Sequence, residues 1–255
     1  MIWLRSTLYL LGWAVNTVLC AIACMLALPL PYRFRYGLVR YWARFALKWL
    51  EITCGLKSKV IGLEHLPSDA AVVMSKHQSA FETLALLKLL PFTAWVIKRE
   101  LLWIPFFGWG IWSVRPIAID RSNRAAAARQ LISQGGERLK QGSWIVIFPE
   151  GTRISAGQRG NYKSGGARVA CALSAPVVPV AVNSGEFWPR NSFLKYPGVT
   201  TISFGPAIAT AGRKPEEVSR EVEAWIEGEM VRISGVGPCW PRNKKPEQVH
   251  GPLAA

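Results

Sequence analysis

Two short stretches of the chain carry residues whose types and spacing could do chemistry. In AVVMSKHQSAFETLALLKLL, His77 stands just past a β-rich run and Glu82 follows five residues later. On one ideal helix these two side chains would lie about 140° apart, so they meet only if His77 sits in the turn before a helix that begins near Ser79. A carboxylate in that position holds an imidazole in one tautomer and stabilises its protonated form. The other ring nitrogen is then left to take a proton from a bound hydroxyl, a task worth ~10² to 10⁴ in rate. Ser79-x-x-Glu82 also fits a capping box, in which the pair satisfies helix-end amides. Spacing alone leaves both readings open. The second stretch, SWIVIFPEGTRIS, reads as a buried strand that ends in Phe148-Pro149-Glu150-Gly151-Thr152-Arg153.

Elements of several kinds must position these residues. From about Lys57, short β-rich runs (AAVVMS, SWIVIF, VVPVAV, VTTISFG) alternate with Ala- and Leu-rich helical stretches. That alternation predicts an α/β fold, a mixed β-sheet flanked by helices. Residues 216–233 carry Val218, Val222, Trp225, Ile226 and Ile233 at helical spacing after the first-turn proline Pro215, a closing amphipathic helix. Beyond Gly235 the chain is rich in Pro, Gly and basic residues and is expected to be loose. His65 and His250 have no partner pattern and read as incidental.

Between Ser6 and Tyr32 there is no charged side chain. The apolar run is long enough to cross a hydrocarbon layer of about 30 Å, and too long for the 7 to 15 apolar residues of a cleaved signal peptide. An N-terminal membrane-embedded helical segment is therefore expected, spanning or re-entrant. After Pro29 and Pro31 comes a helix with Arg33, Arg40, Arg44 and Lys48 within about 80° of one another and Trp42, Phe45 and Trp49 opposite. That pattern suits a helix lying among anionic headgroups, its positive charge marking the cytoplasmic side. A soluble helix with a solvated basic face is the plainer alternative. The domain division expected is 1–54 for the membrane and interfacial helices, 55–233 for the α/β domain and 234–255 for the basic tail.

Composition agrees with a folded chain that meets anions. Of 255 residues, 50% are hydrophobic and 18% charged, which excludes disorder for most of the length. The 31 Lys and Arg outnumber 16 Asp and Glu to give +15, pointing to nucleic acid, acidic lipids or phosphorylated substrates. No nucleic-acid partner is expected, because the charge gathers beside the apolar segment and in the tail and no nucleic-acid module is present. Five cysteines, with no Cys-x2-Cys pair, and three histidines indicate neither a disulfide framework nor a metal site.

His77-x4-Glu82 followed about 70 residues later by FPEGTR resembles the glycerolipid acyltransferases, specifically the 1-acyl-glycerol-3-phosphate (lysophosphatidic acid) acyltransferases. Further blocks stand in register: Lys98-Arg99-Glu100-Leu101 with Pro105 and Gly108, Ile119-Asp120-Arg121, Lys163 with Gly165, and Val178-Pro179-Val180. The similarity covers roughly residues 55–210, with one departure: the family's first block usually ends in Asp where this chain has Glu82. The resemblance implies the glycerolipid acyltransferase fold, with His77 as general base and Glu82 as its orienting partner. It further implies Arg121, Arg153 and Lys98 as phosphate-reading residues, with Glu150, Gly151 and Thr152 placing the glycerol. No cofactor is implied; the co-substrate is an acyl-CoA or acyl-carrier-protein thioester, and the acceptor hydroxyl attacks it directly. Partners expected are lysophosphatidic acid and anionic membrane lipids at the inner (cytoplasmic) membrane, with the active site on the cytoplasmic side. Acceptors such as a lyso-ornithine lipid or another lysophospholipid are the second enzymatic reading, and a non-catalytic basic membrane-surface protein the third. Finally, the fourteen uncharged residues LLWIPFFGWGIWSV, with Trp103, Phe106, Phe107 and Trp109, are expected to line an acyl channel or touch the membrane, ordinary core packing being the alternative.

Overall fold

The computed structural model describes residues 1–120 and 124–251. Its sheet contains β1 (Leu56–Ile61), β2 (Val72–Ser75), β3 (Phe92–Lys98), β4 (Ile117–Ile119), β5 (Ser143–Ile147), β6 (Val177–Val182) and β7 (Gly198–Phe204), in the spatial order β1-β7-β6-β2-β5-β3-β4. Pairing is parallel throughout except between β6 and β7, so the sheet is mixed, as the strand runs led one to expect.

The central strands are apolar because both of their faces are covered. In β5, Trp144 and Val146 enter one core, while Ile145 and Ile147 enter the other. This is the two-residue alternation of a strand, with no polar face left over. One core lies beneath α2 (Tyr32–Cys54) and α3 (Phe81–Leu89); the other lies beneath α5 (Arg124–Lys140), α6 (Gly165–Ala172) and α7 (Pro215–Ile233).

The N-terminal helix α1 (Ile2–Leu26) forms an antiparallel pair with α2, joined through the prolines at 29 and 31. Trp49 Nε1 donates to Leu8 O, and Trp42 Nε1 to Thr17 Oγ1. A Cβ at Gly12 would lie 2.2 Å from Trp49 Nε1, so the crossing depends on glycine there. Much of the aromatic side of α2 thus meets α1, while Tyr36, Val39, Ala43, Ala46 and Leu50 share the core of the sheet. That core runs unbroken across residue 54. Arg33, Arg44 and Lys48 stay exposed, and Arg40 donates to Lys88 O.

By length and composition α1 could cross a membrane. Leu4, Leu8, Leu11, Val15, Leu19, Ile22 and Leu26 form a stripe of three- and four-residue steps that no part of the described molecule covers. Beside it, α4 (Phe107–Ser113) packs on α1. Trp103, Phe106, Trp109 and Trp112 are exposed in this region, whereas Phe107 packs partly against the core. A large exposed apolar surface of this kind marks a contact with membrane or partner.

Candidate active site

The chain leaves β2 and β5, adjacent parallel strands, in opposite directions: β2 leads through α3 to β3, and β5 through α6 to β6. In open α/β sheets the crevice beyond the carboxyl ends of such strands is the usual ligand site. His77 follows β2 there, and Phe148–Arg153 follow β5.

His77 occupies the turn before α3, as required for it to meet Glu82. Its Nδ1 lies 2.8 Å from Glu82 Oε1. The same oxygen accepts the backbone N–H groups of Gln78 and Ser79, each at 2.7 Å, while Oε2 accepts from Ser184 Oγ at 2.6 Å. Glu82 therefore braces the turn before α3 and holds the imidazole at once; the capping box read from Ser79-x-x-Glu82 does not form, because Ala80 is the N-cap and Ser79 Oγ accepts the Phe81 N–H instead. Burial alone would push its carboxyl up, yet hydrogen bonds from His77, Ser184 and the Ser79 amide hold it below its ordinary pKa. With Nδ1 engaged by a carboxylate, Nε2 is the ring nitrogen placed to take a proton. The ring stacks on Phe148, centroids 3.8 Å apart and planes 12° from parallel, which limits its swing.

The FPEGTR segment is folded onto the same turn. Ile154 N–H donates to His77 O at 2.8 Å, and Gly151 takes φ +68, a left-handed conformation that favours glycine. A Cβ on Gly151 would stand 3.0 Å from Lys163 Nζ. Glu150, expected to place the glycerol, does not face outward. It is 3% exposed; its Oε2 accepts the His77 N–H at 2.9 Å and its Oε1 lies 2.8 Å from Lys76 Nζ. The acidic residue of the motif braces the histidine turn from behind, because Lys76 offers it a buried cation. Burial pushes its carboxyl up, against the pull of Lys76 and the His77 amide.

Thr152 is exposed, and Arg153 is half-buried with its Nε lacking a hydrogen-bond partner among the described residues. Lys98 ends β3, exposed, opposite Ile119 of β4. Arg121 lies outside the described residues. Sequence reasoning missed Ser184, the second side-chain partner of Glu82, which comes from the turn after β6 and carries no local signal. It also missed Lys76, whose position between an apolar strand and the histidine was a usable sign that its charge would need a buried partner. His250, read as incidental, is buried against Glu227, and residues 234–251 of the tail expected to be loose are held in place.

The acyltransferase family model matches residues 57–183, the span that contains every block described above. A 1-acyl-sn-glycerol-3-phosphate acyltransferase of Pseudomonas aeruginosa is 42% identical over 232 residues, covering 89% of this chain and 90% of that one. One from Cocos nucifera is 28% identical over 217 residues, 84% of this chain and 69% of the other. The crystal structure of the 1-acyl-sn-glycerophosphate acyltransferase PlsC from Thermotoga maritima superposes with a TM-score of 0.75 at 23% identity, over 88% of this chain and 92% of that one, and so shares the fold. A mixed sheet with the histidine and FPEGTR turns at its switch point, matched along nearly its whole length by such a relative, makes this chain a member of the glycerolipid acyltransferase family.

Proposed function

We propose that the protein transfers a fatty acyl group from a thioester donor, acyl-CoA or acyl carrier protein, to the sn-2 hydroxyl of 1-acyl-glycerol-3-phosphate, giving phosphatidic acid. The observation that carries this reading is the His77–Glu82 pair, buried on the carboxylate side and placed beside FPEGTR. Nε2 of His77 takes the hydroxyl proton as the oxygen attacks the thioester carbonyl. The tetrahedral intermediate collapses, the C–S bond breaks, and the leaving thiolate takes the proton back from the imidazolium. Glu82 supplies the countercharge while that imidazolium exists. Arg153, with a buried Nε still to be satisfied, reads the acceptor's phosphate together with Lys98 and Arg121, since a guanidinium fork suits phosphate oxygens, and Thr152 places the glycerol.

The apolar stripe of α1 and the exposed tryptophans around α4 seat the enzyme in the inner membrane with the site on the cytoplasmic side. There the exposed basic residues of α2 meet anionic headgroups, concentrating the enzyme where acceptor and product reside. Purified enzyme assayed with both donors, lysophosphatidic acid and other lyso-lipids tests the reading. His77→Ala is expected to lose at least 10²-fold in kcat. Turnover like the parent's would remove His77 from the role of base.

A further inference from the structure

Behind the histidine turn lies a group of buried ionisable side chains that the acyl-transfer steps do not use. Lys76, adjacent to His77, has no exposure and bridges two carboxylates: Glu150 Oε1 at 2.8 Å and Glu227 Oε1 of α7 at 2.7 Å. Tyr162 O–H donates to the same Glu227 oxygen at 2.6 Å. The other oxygen, Oε2, meets His250 Nδ1 at 2.5 Å. His250 belongs to α8 (Pro246–His250), 173 residues after His77, and is 3% exposed.

The last described residues are brought there by contacts of their own. The Glu186 carboxylate accepts the backbone N–H groups of Gly235, Val236 and Gly237 at 2.7 to 2.9 Å, and Trp240 Nε1 donates to Lys244 O. The chain thus continues past α7 and turns back to deliver an imidazole to Glu227.

Buried charges of this sort are costly unless every one is paired, and removing one partner strands the rest. Each link is also directional. His250 and Tyr162 occupy Glu227, Glu227 and Glu150 share Lys76, and Glu150 fixes the amide of His77. We propose that His250, through Glu227 and Lys76, is a positioning residue for the catalytic histidine: the C-terminal segment locks the carboxylate that holds the His77 backbone in place. The proposal rests on His77 acting in acyl transfer, but its physical content is the orientation of the His77 ring.

The chain has three histidines, so each ring is assigned in nuclear magnetic resonance spectra by one substitution. The full-length protein in detergent micelles is compared with His250→Ala, His250→Gln and Tyr162→Phe. In His250→Ala the His77 ring ¹⁵N signals move and kcat falls about tenfold, with KM for lysophosphatidic acid within twofold of the parent. His250→Gln, whose amide can still donate to Glu227, restores the His77 signals and brings kcat back to within threefold. Tyr162→Phe removes one donor, shifts the same signals less and lowers kcat about threefold; it serves if His250→Ala does not fold. His77 signals unmoved in the folded variants overturn the proposal, as does a loss of kcat that only tracks loss of folded protein. A parent with no activity toward lysophosphatidic acid would defeat the functional reading instead, and the ring signals would still test the network.

Discussion

Replacing Glu82 by Gln separates the charge of this side chain from its shape. The amide oxygen can keep the bonds that Oε1 now accepts from His77, Gln78 and Ser79, and the NH₂ can donate to Ser184 Oγ, so the turn before α3 is retained. What disappears is the negative charge facing the imidazolium that the proposed base would become in the transition state. With charge centres ~4 Å apart and an effective dielectric of about 20, that attraction is ~4 kcal/mol. The amide dipole and partial solvent access at the ring return some of it. A loss of about 3 to 4 kcal/mol corresponds to a fall in kcat of roughly 10² to 10³. Initial rates of purified enzyme in mixed micelles, with lysophosphatidic acid varied at saturating donor, measure it. KM should change less than threefold, because Glu82 has no exposure and touches no acceptor. A variant that keeps kcat within threefold would show that Glu82 only braces the turn before α3, and the electrostatic account of His77 would fall.

Three further outcomes follow from the same geometry. Arg153→Ala should raise KM for lysophosphatidic acid about 10- to 100-fold, the size of one or two lost charge-assisted bonds, and leave slow turnover of an uncharged monoacylglycerol unchanged; equal losses on both acceptors would exclude Arg153 from phosphate recognition. Burial would raise the Glu227 carboxyl, but His250, Lys76 and Tyr162 outweigh it and hold the pKa at about 2 against an ordinary 4.5. A carboxyl depressed in the folded state stabilises above its unfolded pKa and loses that contribution as pH falls toward the folded one. The melting temperature of the parent should thus drop as pH falls between those values, and the Glu227→Gln curve should be flatter there; parallel curves would contradict the pairing. On α1, Leu11→Gln with Val15→Gln removes two side chains that are 61% and 58% exposed. At about 1.5 to 3 kcal/mol each, flotation with anionic vesicles should drop at least 10²-fold while the melting temperature holds, and unchanged flotation would move the membrane face elsewhere.

How much was legible in advance depends on how far apart in the chain the partners stand. His77 and Glu82 were readable because a turn and the first residues of a helix fix their relation within six residues. FPEGTR was readable because a strand exit and a glycine at positive φ are local. The central strands showed as apolar runs because both faces of the sheet are covered, and α1 showed by its length without charge. Whether the aromatic side of α2 would meet lipid or α1 was not visible, since a helix pattern names the buried face and not its neighbour.

Chain chemistry by itself determined the His77–Glu82 pair, the strand-exit motif and the apolar helix, each produced by residues within about a helix length of one another. Only the tertiary structure decided that Glu150 turns inward to Lys76, that Ser184 completes the shell of Glu82 from 102 residues away, and that His250 closes the network behind the site. Burying a charge forces it to find an opposite charge or a donor. Which one it finds is set by the strand order and helix packing that bring distant segments together, and no local periodicity encodes that choice.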